Sequence, residues 1–253
     1  MSNVRFFIGL HQPGDAWPFL RSMISVNRLR TRKSDFRANS WILDSGAFTE
    51  LSTYGQYRFP VSEYASQIDR WRECGQLQAA VSEDYMCEPF ILEKTGLNVE
   101  AHQALTIERY LELRDLVDKV YILPVLQGYS PESYVNHLRS YSKALEPGAW
   151  VGVGSVCKRN SNPDAIEDVF LAIKAERPDL RLHAFGIKKT ALERPTIRAL
   201  LYSCDSMAWS FHARLNEPNG DDPRHALEYA ADIELLLKEP QFVQRQLFDW
   251  WIA

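Results

Sequence analysis

Cysteine is scarce in this chain and scattered. The four in 253 residues, Cys74, Cys87, Cys157 and Cys204, form no CxxC pair, which excludes a thioredoxin-type motif or a clustered zinc site and suits free thiols in a reducing compartment. Long hydrophobic runs are also missing: none approaches the roughly 18 to 20 residues that a membrane span requires. No signal peptide opens the chain, so a soluble, cytoplasmic protein is expected, in the host cytoplasm if it is phage-encoded. Nor is there an excess of positive charge. With 29 Lys and Arg against 33 Asp and Glu, the net charge is −4 and the pI about 5.9. That excludes a generally basic nucleic-acid coat but leaves room for a local basic face. Internal repeats, low-complexity tracts and obvious linkers are absent, and the 45% hydrophobic content can fill one core, so residues 1–253 are expected to form a single domain.

What is present is alternation. Short apolar runs at Phe6 to Leu10, Trp41 to Leu43, Ala79 to Val81, Tyr121 to Leu126, Trp150 to Val153, Leu182 to Phe185 and Met207 to Trp209 read as buried parallel strands. Between them lie helical periods with start signals: Pro60-Val-Ser-Glu, Asn98-Val-Glu, Ser130-Pro-Glu, Asn162-Pro-Asp and Asp222-Pro-Arg. Strand and helix in alternation imply right-handed βαβ units. Polar residues follow the strands all along the chain instead of at one switch point, which favours a (β/α)8 TIM-type barrel over an open sheet. Only seven strands are legible, so the barrel is expected to be shortened or irregular. Phe248, Trp250 and Trp251 near the C-terminus are expected to cover the core or form a subunit contact.

In a barrel the residues that stop each strand meet at one mouth. Here they are Asp44-Ser-Gly-Ala-Phe48, Ser82-Glu-Asp84-Tyr85, Gln127-Gly-Tyr129, Gly154-Ser155, Gly186-Ile-Lys188-Lys189, and Asp205 with Ser206. Carboxylates converging with amides and aromatics suit glycosidic chemistry, in which one acid attacks or stabilises an oxocarbenium-like centre and another moves a proton.

Taken in order, these words resemble the tRNA-guanine transglycosylase superfamily, and more closely its DNA-directed, DpdA-type branch. The resemblance runs from about Trp41 to Arg214. It rests on Asp44-Ser-Gly-Ala-Phe48, Val125-Leu-Gln-Gly128, Val151-Gly-Val-Gly-Ser155, His183-Ala-Phe-Gly186 and Ser203-Cys-Asp205-Ser206. It implies that Asp205 is the nucleophile at C1′ and Asp44 the general acid/base. Asp84 and Gln127 would read the guanine edge, a backbone amide near Gly154 would donate to the base carbonyl, and Phe48 and Phe185 would sandwich the base. Ser45 and Ser155, within the same motifs, count with the base-binding residues. The implied substrates are DNA and a free 7-deazaguanine such as 7-cyano-7-deazaguanine, with no cofactor. The family's zinc-binding Cys and His cluster is missing, so no metal and no zinc subdomain are expected, and a tRNA substrate is the alternative. Val156-Cys-Lys158-Arg159 stands where the family keeps an acidic residue.

Lys158, Arg159, Lys188, Lys189 and Arg214 fall in loops on the inferred mouth and are expected to contact phosphates, with Arg28, Arg30, Arg32, Lys33 and Arg37 as a further basic group. Tyr54, Tyr57 and Tyr85 could help hold an extruded base. Two other functions compete: a barrel aldolase or isomerase with Lys188 as Schiff-base lysine, and a non-catalytic nucleic-acid-binding barrel. A homodimer or partner proteins are left open.

Overall fold

In a computed structural model, which describes residues 4–159, 162–211 and 221–239, the apolar runs become parallel strands. They are β1 (Arg5–Leu10), β2 (Arg21–Ser25), β3 (Ser40–Asp44), β4 (Gln76–Val81), β5 (Ile122–Leu123), β6 (Val125–Leu126), β7 (Trp150–Val153), β8 (Arg181–Ala184) and β9 (Leu201–Ser206). The sheet order is β5-β4-β3-β2-β1-β9-β8-β7-β6. β5 and β6 are two halves of one strand, parted by Pro124, whose missing N–H cannot join the ladder. β5 pairs with β4 and β6 with β7, so the nine segments make eight strand positions and the sheet closes on itself. The protein is an α/β barrel of the TIM type.

Alternation along each strand divides two cores. Phe7, Met23, Ile42, Ala79, Val81, Leu123, Val125 and Trp150 fill the barrel. Their neighbours Phe6, Ile8, Trp41, Leu43, Val151, Val153, Leu182 and Ala184 pack outward among helical residues such as Tyr64, Ile68, Tyr134, Leu138, Phe170 and Ile173. The wrapping helices begin where their caps predict. Asn98, Ser130, Asn162 and Asp222 each accept a first-turn backbone N–H, and Pro131, Pro163 and Pro223 sit at the first helical position.

Two sequence expectations need correction. The illegible eighth strand is β2, Arg-Ser-Met-Ile-Ser. It opens on Arg21 and has serine at its second and last positions, and no α-helix precedes or follows it, only short 3-10 turns at Pro13–Asp15 and Val26–Arg28. This is where the barrel is irregular. The run Met207 to Trp209 is not a strand: β9 ends at Ser206 and residues 208–211 are helical. β9 carries Ser203, Asp205 and Ser206 as buried polar residues, so its hydrophobic signal is weak. Phe248, Trp250 and Trp251 lie outside the described residues.

Candidate active site

The C-terminal ends of the strands enclose a cavity of about 680 Å³, within the range of small-molecule sites. Asp44, Asp84, Gln127, Gly154, Ser155, Phe48, Phe185 and Asp205 all line it, together with Gly9, Met23, Ser25 and Gly186. One after another, β3, β4, β6, β7, β8 and β9 supply a residue to the ring. Ser45 does not join them: it is fully buried and is not part of the lining.

Asp44 ends β3 opposite Ser25 of β2 in the ladder. The Ser25 hydroxyl bonds its carboxylate, and the Gly46 N–H donates to its Oδ2 at 3.1 Å. Gly46 makes that turn with φ +78°, and a Cβ there would collide with the Asn27 side chain. Burial first, and then the charge of Asp205, push the Asp44 carboxyl up to about 6 despite both hydrogen bonds. Two acids that feel each other in one cavity are a recurrent arrangement for separating acid and nucleophile roles. Asp205 is held by its Oδ1, which accepts from Gly186 N–H at 3.1 Å and lies 3.2 Å from His183 Nε2.

Asp84 and Gln127 form a rigid pair. Gln127 Nε2 donates to Asp84 Oδ2, while Gln127 Oε1 lies 2.7 Å from the Ser155 hydroxyl. The Gln127 backbone is fixed as well. Its N–H donates to His137 Nδ1 at 2.9 Å, and its carbonyl accepts from Gln103 Nε2 at 2.7 Å. Burial pulls His137 down to about 4, so the ring is neutral and can accept. Burial likewise pushes Asp84 up to about 7, with Asp44 adding to the shift and Gln127 opposing it.

The glycines of β7 make room for these groups: a Cβ on Gly152 would come within 2.6 Å of Phe185 Cζ, and one on Gly154 within 2.6 Å of Gln127 Cδ. The Gly154 N–H is not free for a ligand, since it donates to Leu126 O at 3.0 Å, and its carbonyl accepts from Tyr134. The next amide, that of Ser155, makes no hydrogen bond among the described residues; Ser155 takes the left-handed conformation at φ +56°.

Among the expected phosphate contacts, Arg159 lies over the Tyr129 ring and bonds the Tyr129 carbonyl. Lys188 Nζ lies 5.9 Å from the Phe211 ring centre and is not part of the cavity lining, so it is not placed to be a Schiff-base lysine there. Lys189 is paired with Asp232. The Lys158 side chain and Arg214 lie outside the described residues. Of the basic group before β3, Arg28 lines the cavity. Arg30 is instead buried against Glu63 and Glu50, Arg32 bonds the backbone of its own loop, and Arg37 covers Trp17. Of these three, Arg30 is taken up by carboxylates inside the fold. Tyr57 and Tyr85 are buried, with the Tyr57 hydroxyl donating to Asp84 O at 2.8 Å, so they brace the site; Tyr54 is exposed under Arg58. Among the described residues no group of His, Cys, Asp and Glu converges as metal ligands, and no helix is long and apolar enough to cross a membrane.

The sequence profile of the DpdA family, described as DeoxyPurine in DNA protein A, matches residues 2–227. The chain belongs to the DpdA family. The match covers every strand of the barrel and every residue of the cavity. No curated protein sequence matches the chain. For a DpdA family member the site has contributors that strand-end reading missed. Ser25 was hidden because β2 itself was unreadable. His183, Ser203 and Trp150 lie within strands and so behind the mouth; His183 and Ser203 fall in the motifs that carry the family resemblance but had no role assigned, and Trp150 read as strand core.

Proposed function

We propose that this cavity exchanges guanine in DNA for a free 7-deazaguanine through a covalent glycosyl-enzyme on Asp205. The observation that carries the reading is that Asp44 and Asp205 share one cavity, large enough to admit a purine nucleotide, closely enough for the charge of Asp205 to perturb Asp44. In the first half-reaction Asp205 Oδ2 bonds to C1′ as the C1′–N9 bond breaks. The electron pair leaves with guanine, and Asp44 supplies a proton to the departing base. In the second, the deaza base, its N9 proton removed by Asp44, displaces the ester and frees Asp205. Two inversions return a β-nucleotide.

Guanine and a 7-deazaguanine share the edge that carries N1–H and the 2-amino group, and both groups donate. A carboxylate at Asp84 suits that edge; Gln127 Nε2 and the Ser155 N–H suit the O6 carbonyl. This moves the expected amide one residue, from Gly154 to Ser155. Phe48 and Phe185 flank the slot.

A polynucleotide is supported by the rim. Tyr129 and Phe211, 56% and 63% exposed, stand on the loop after β6 and on the helical turn after β9, each with a cation above it, Arg159 and Lys188. Exposed rings beside cations suit unstacked bases and phosphates.

The test is incubation of the protein with DNA and labelled 7-cyano-7-deazaguanine, followed by digestion to nucleosides. Label in a deoxynucleoside, lost in Asp205→Ala, is the expected result. Label entering tRNA and not DNA moves the substrate to RNA, and an unimpaired Asp205→Ala removes the covalent step.

A further inference from the structure

Beneath the cavity the barrel interior is apolar, yet two fully buried polar side chains, His183 and Ser203, are set into it. Burying them is costly unless each is hydrogen-bonded. His183 lies opposite Ser203 in the β8–β9 ladder, and Ser203 stands two residues before Asp205, so all three point inward. A chain of contacts climbs from the core to the mouth. Trp150 Nε1 donates to Ser203 Oγ at 2.8 Å, Ser203 Oγ lies 2.9 Å from His183 Nδ1, and His183 Nε2 lies 3.2 Å from Asp205 Oδ1.

The order of donors follows from valence. An indole N–H can only donate, so Ser203 Oγ accepts from Trp150, and its single hydrogen is left for His183 Nδ1. An accepting Nδ1 places the ring proton on Nε2, facing Asp205. A doubly protonated ring would instead make Ser203 accept from both neighbours, leaving its own hydrogen without a partner in the apolar interior. Phe7, Trp150 and Phe185 pack edge-on against the imidazole and fix its plane.

We propose that His183, set as the Nε2–H tautomer by Ser203 and Trp150, is a positioning residue that holds Asp205 by Oδ1 and leaves Oδ2 for attack. Gly186 N–H bonds the same Oδ1, and Oδ2 accepts no hydrogen bond among the described residues. As Oδ2 bonds to C1′ and the C1′–N9 pair leaves with the base, Oδ1 becomes the carbonyl oxygen of the ester and keeps both donors. The His183 proton is not transferred. What Asp205 does rests on the transglycosylase reading, whereas the tautomer and the hydrogen-bond direction do not.

The experiment has two arms on the full chain. Long-range proton–nitrogen NMR of the labelled imidazole should show Nε2 protonated and Nδ1 bare, and Ser203→Ala should mix the tautomers. In single-turnover exchange, His183→Ala should form the glycosyl-enzyme roughly 10- to 100-fold more slowly, with the KM for the deaza base unchanged. His183→Gln, whose amide can return a donor near Oδ1, should recover most of the rate and shows that the loss is not misfolding. A wild-type ring protonated on Nδ1, or a His183→Ala variant as fast as wild type, overturns the proposal. If the tautomer responds to Ser203→Ala as expected but no nucleic acid is exchanged, the positioning arrangement stands and the transglycosylase reading falls.

Discussion

The proposed base-reading role of Asp84 gives the sharpest test, because the ionisation of its carboxyl can be followed in binding alone. Burial pushes Asp84 up to about 7, while the guanine edge needs an acceptor, which the protonated acid offers only in part. Affinity should therefore scale with the ionised fraction. With a value of about 7, that fraction is about 0.9 at pH 8 and about 0.01 at pH 5, so the Kd for a free 7-deazaguanine should rise about 100-fold on acidification. Asp84→Asn removes the titration. It should weaken binding roughly 10- to 100-fold at pH 8, the worth of a hydrogen bond to a charged group, and approach wild type at pH 5. Folding carries the same signature with the opposite preference. An acid whose folded value lies above its ordinary 3.8 holds its proton more tightly in the native state, so stability declines as pH rises from about 4 through about 7. Asp84→Asn should thus raise Tm at pH 8 and leave it little changed at pH 4. Calorimetric titrations from pH 5 to 8 and melting curves measure both. A flat wild-type affinity, or a slope that survives in Asp84→Asn, would refute the assignment of Asp84 as the titrating acceptor.

Three further outcomes follow from particular contacts. Gly154→Ala would drive a methyl group into the Gln127 amide, which is locked between Asp84 and Ser155; base binding should weaken at least about tenfold and stability should fall by about 1 to 3 kcal/mol from overpacking, and an unaltered Kd and Tm would show that Gln127 is free to move. Arg109→Met removes the partner 2.5 Å from buried Glu83, whose carboxyl burial already pushes up to about 7. Denaturant unfolding should show a loss of about 3 kcal/mol at pH 8 and less at pH 5.5, where the acid takes a proton; equal losses at both would contradict an ionised Glu83. If Arg28, Arg159 and Lys188 contact phosphates, DNA affinity should fall steeply with salt, and Arg159→Gln should reduce the log–log slope by about 0.7 to 0.9; an unchanged slope would take Arg159 out of the interface.

The parts of the molecule that were legible in the sequence are those where local chemistry and packing agree. Trp150 to Val153 is buried on both faces and reads as a strand, and Ser130-Pro-Glu opens a helix because the capping serine and the proline both act within one turn. β2 was illegible because a strand of five residues, three of which are Arg21, Ser22 and Ser25, has neither an apolar run nor a clean alternation; only its neighbours β1 and β3 make it a strand. β9 was misplaced by a few residues for a related reason, since Ser203, Asp205 and Ser206 displace the apolar residues by which strands are recognised. Arg30 shows the complementary difficulty: charge in a loop looks like a ligand surface until a buried partner, here Glu50, is seen.

These failures share a cause that bears on the reaction. A barrel interior stabilises the fold by burying apolar side chains, and the inward positions nearest the mouth are the ones this chain gives up to Asp44, Asp84 and Asp205. Both shifted acids there move in the direction that opposes ionisation, to about 6 and about 7, so near neutral pH each holds charge at a cost in folding free energy. That cost is tolerable because the surrounding frame is over-determined: Gln103, His137, Tyr134 and Ser155 fix the side that carries Gln127 and Asp84, and Gly186 with His183 holds Asp205, the proposed nucleophile. Relieving it by substitution should make a more stable barrel with no chemistry, which is why the stabilised Asp84→Asn variant and the weakened binder are expected to be the same protein.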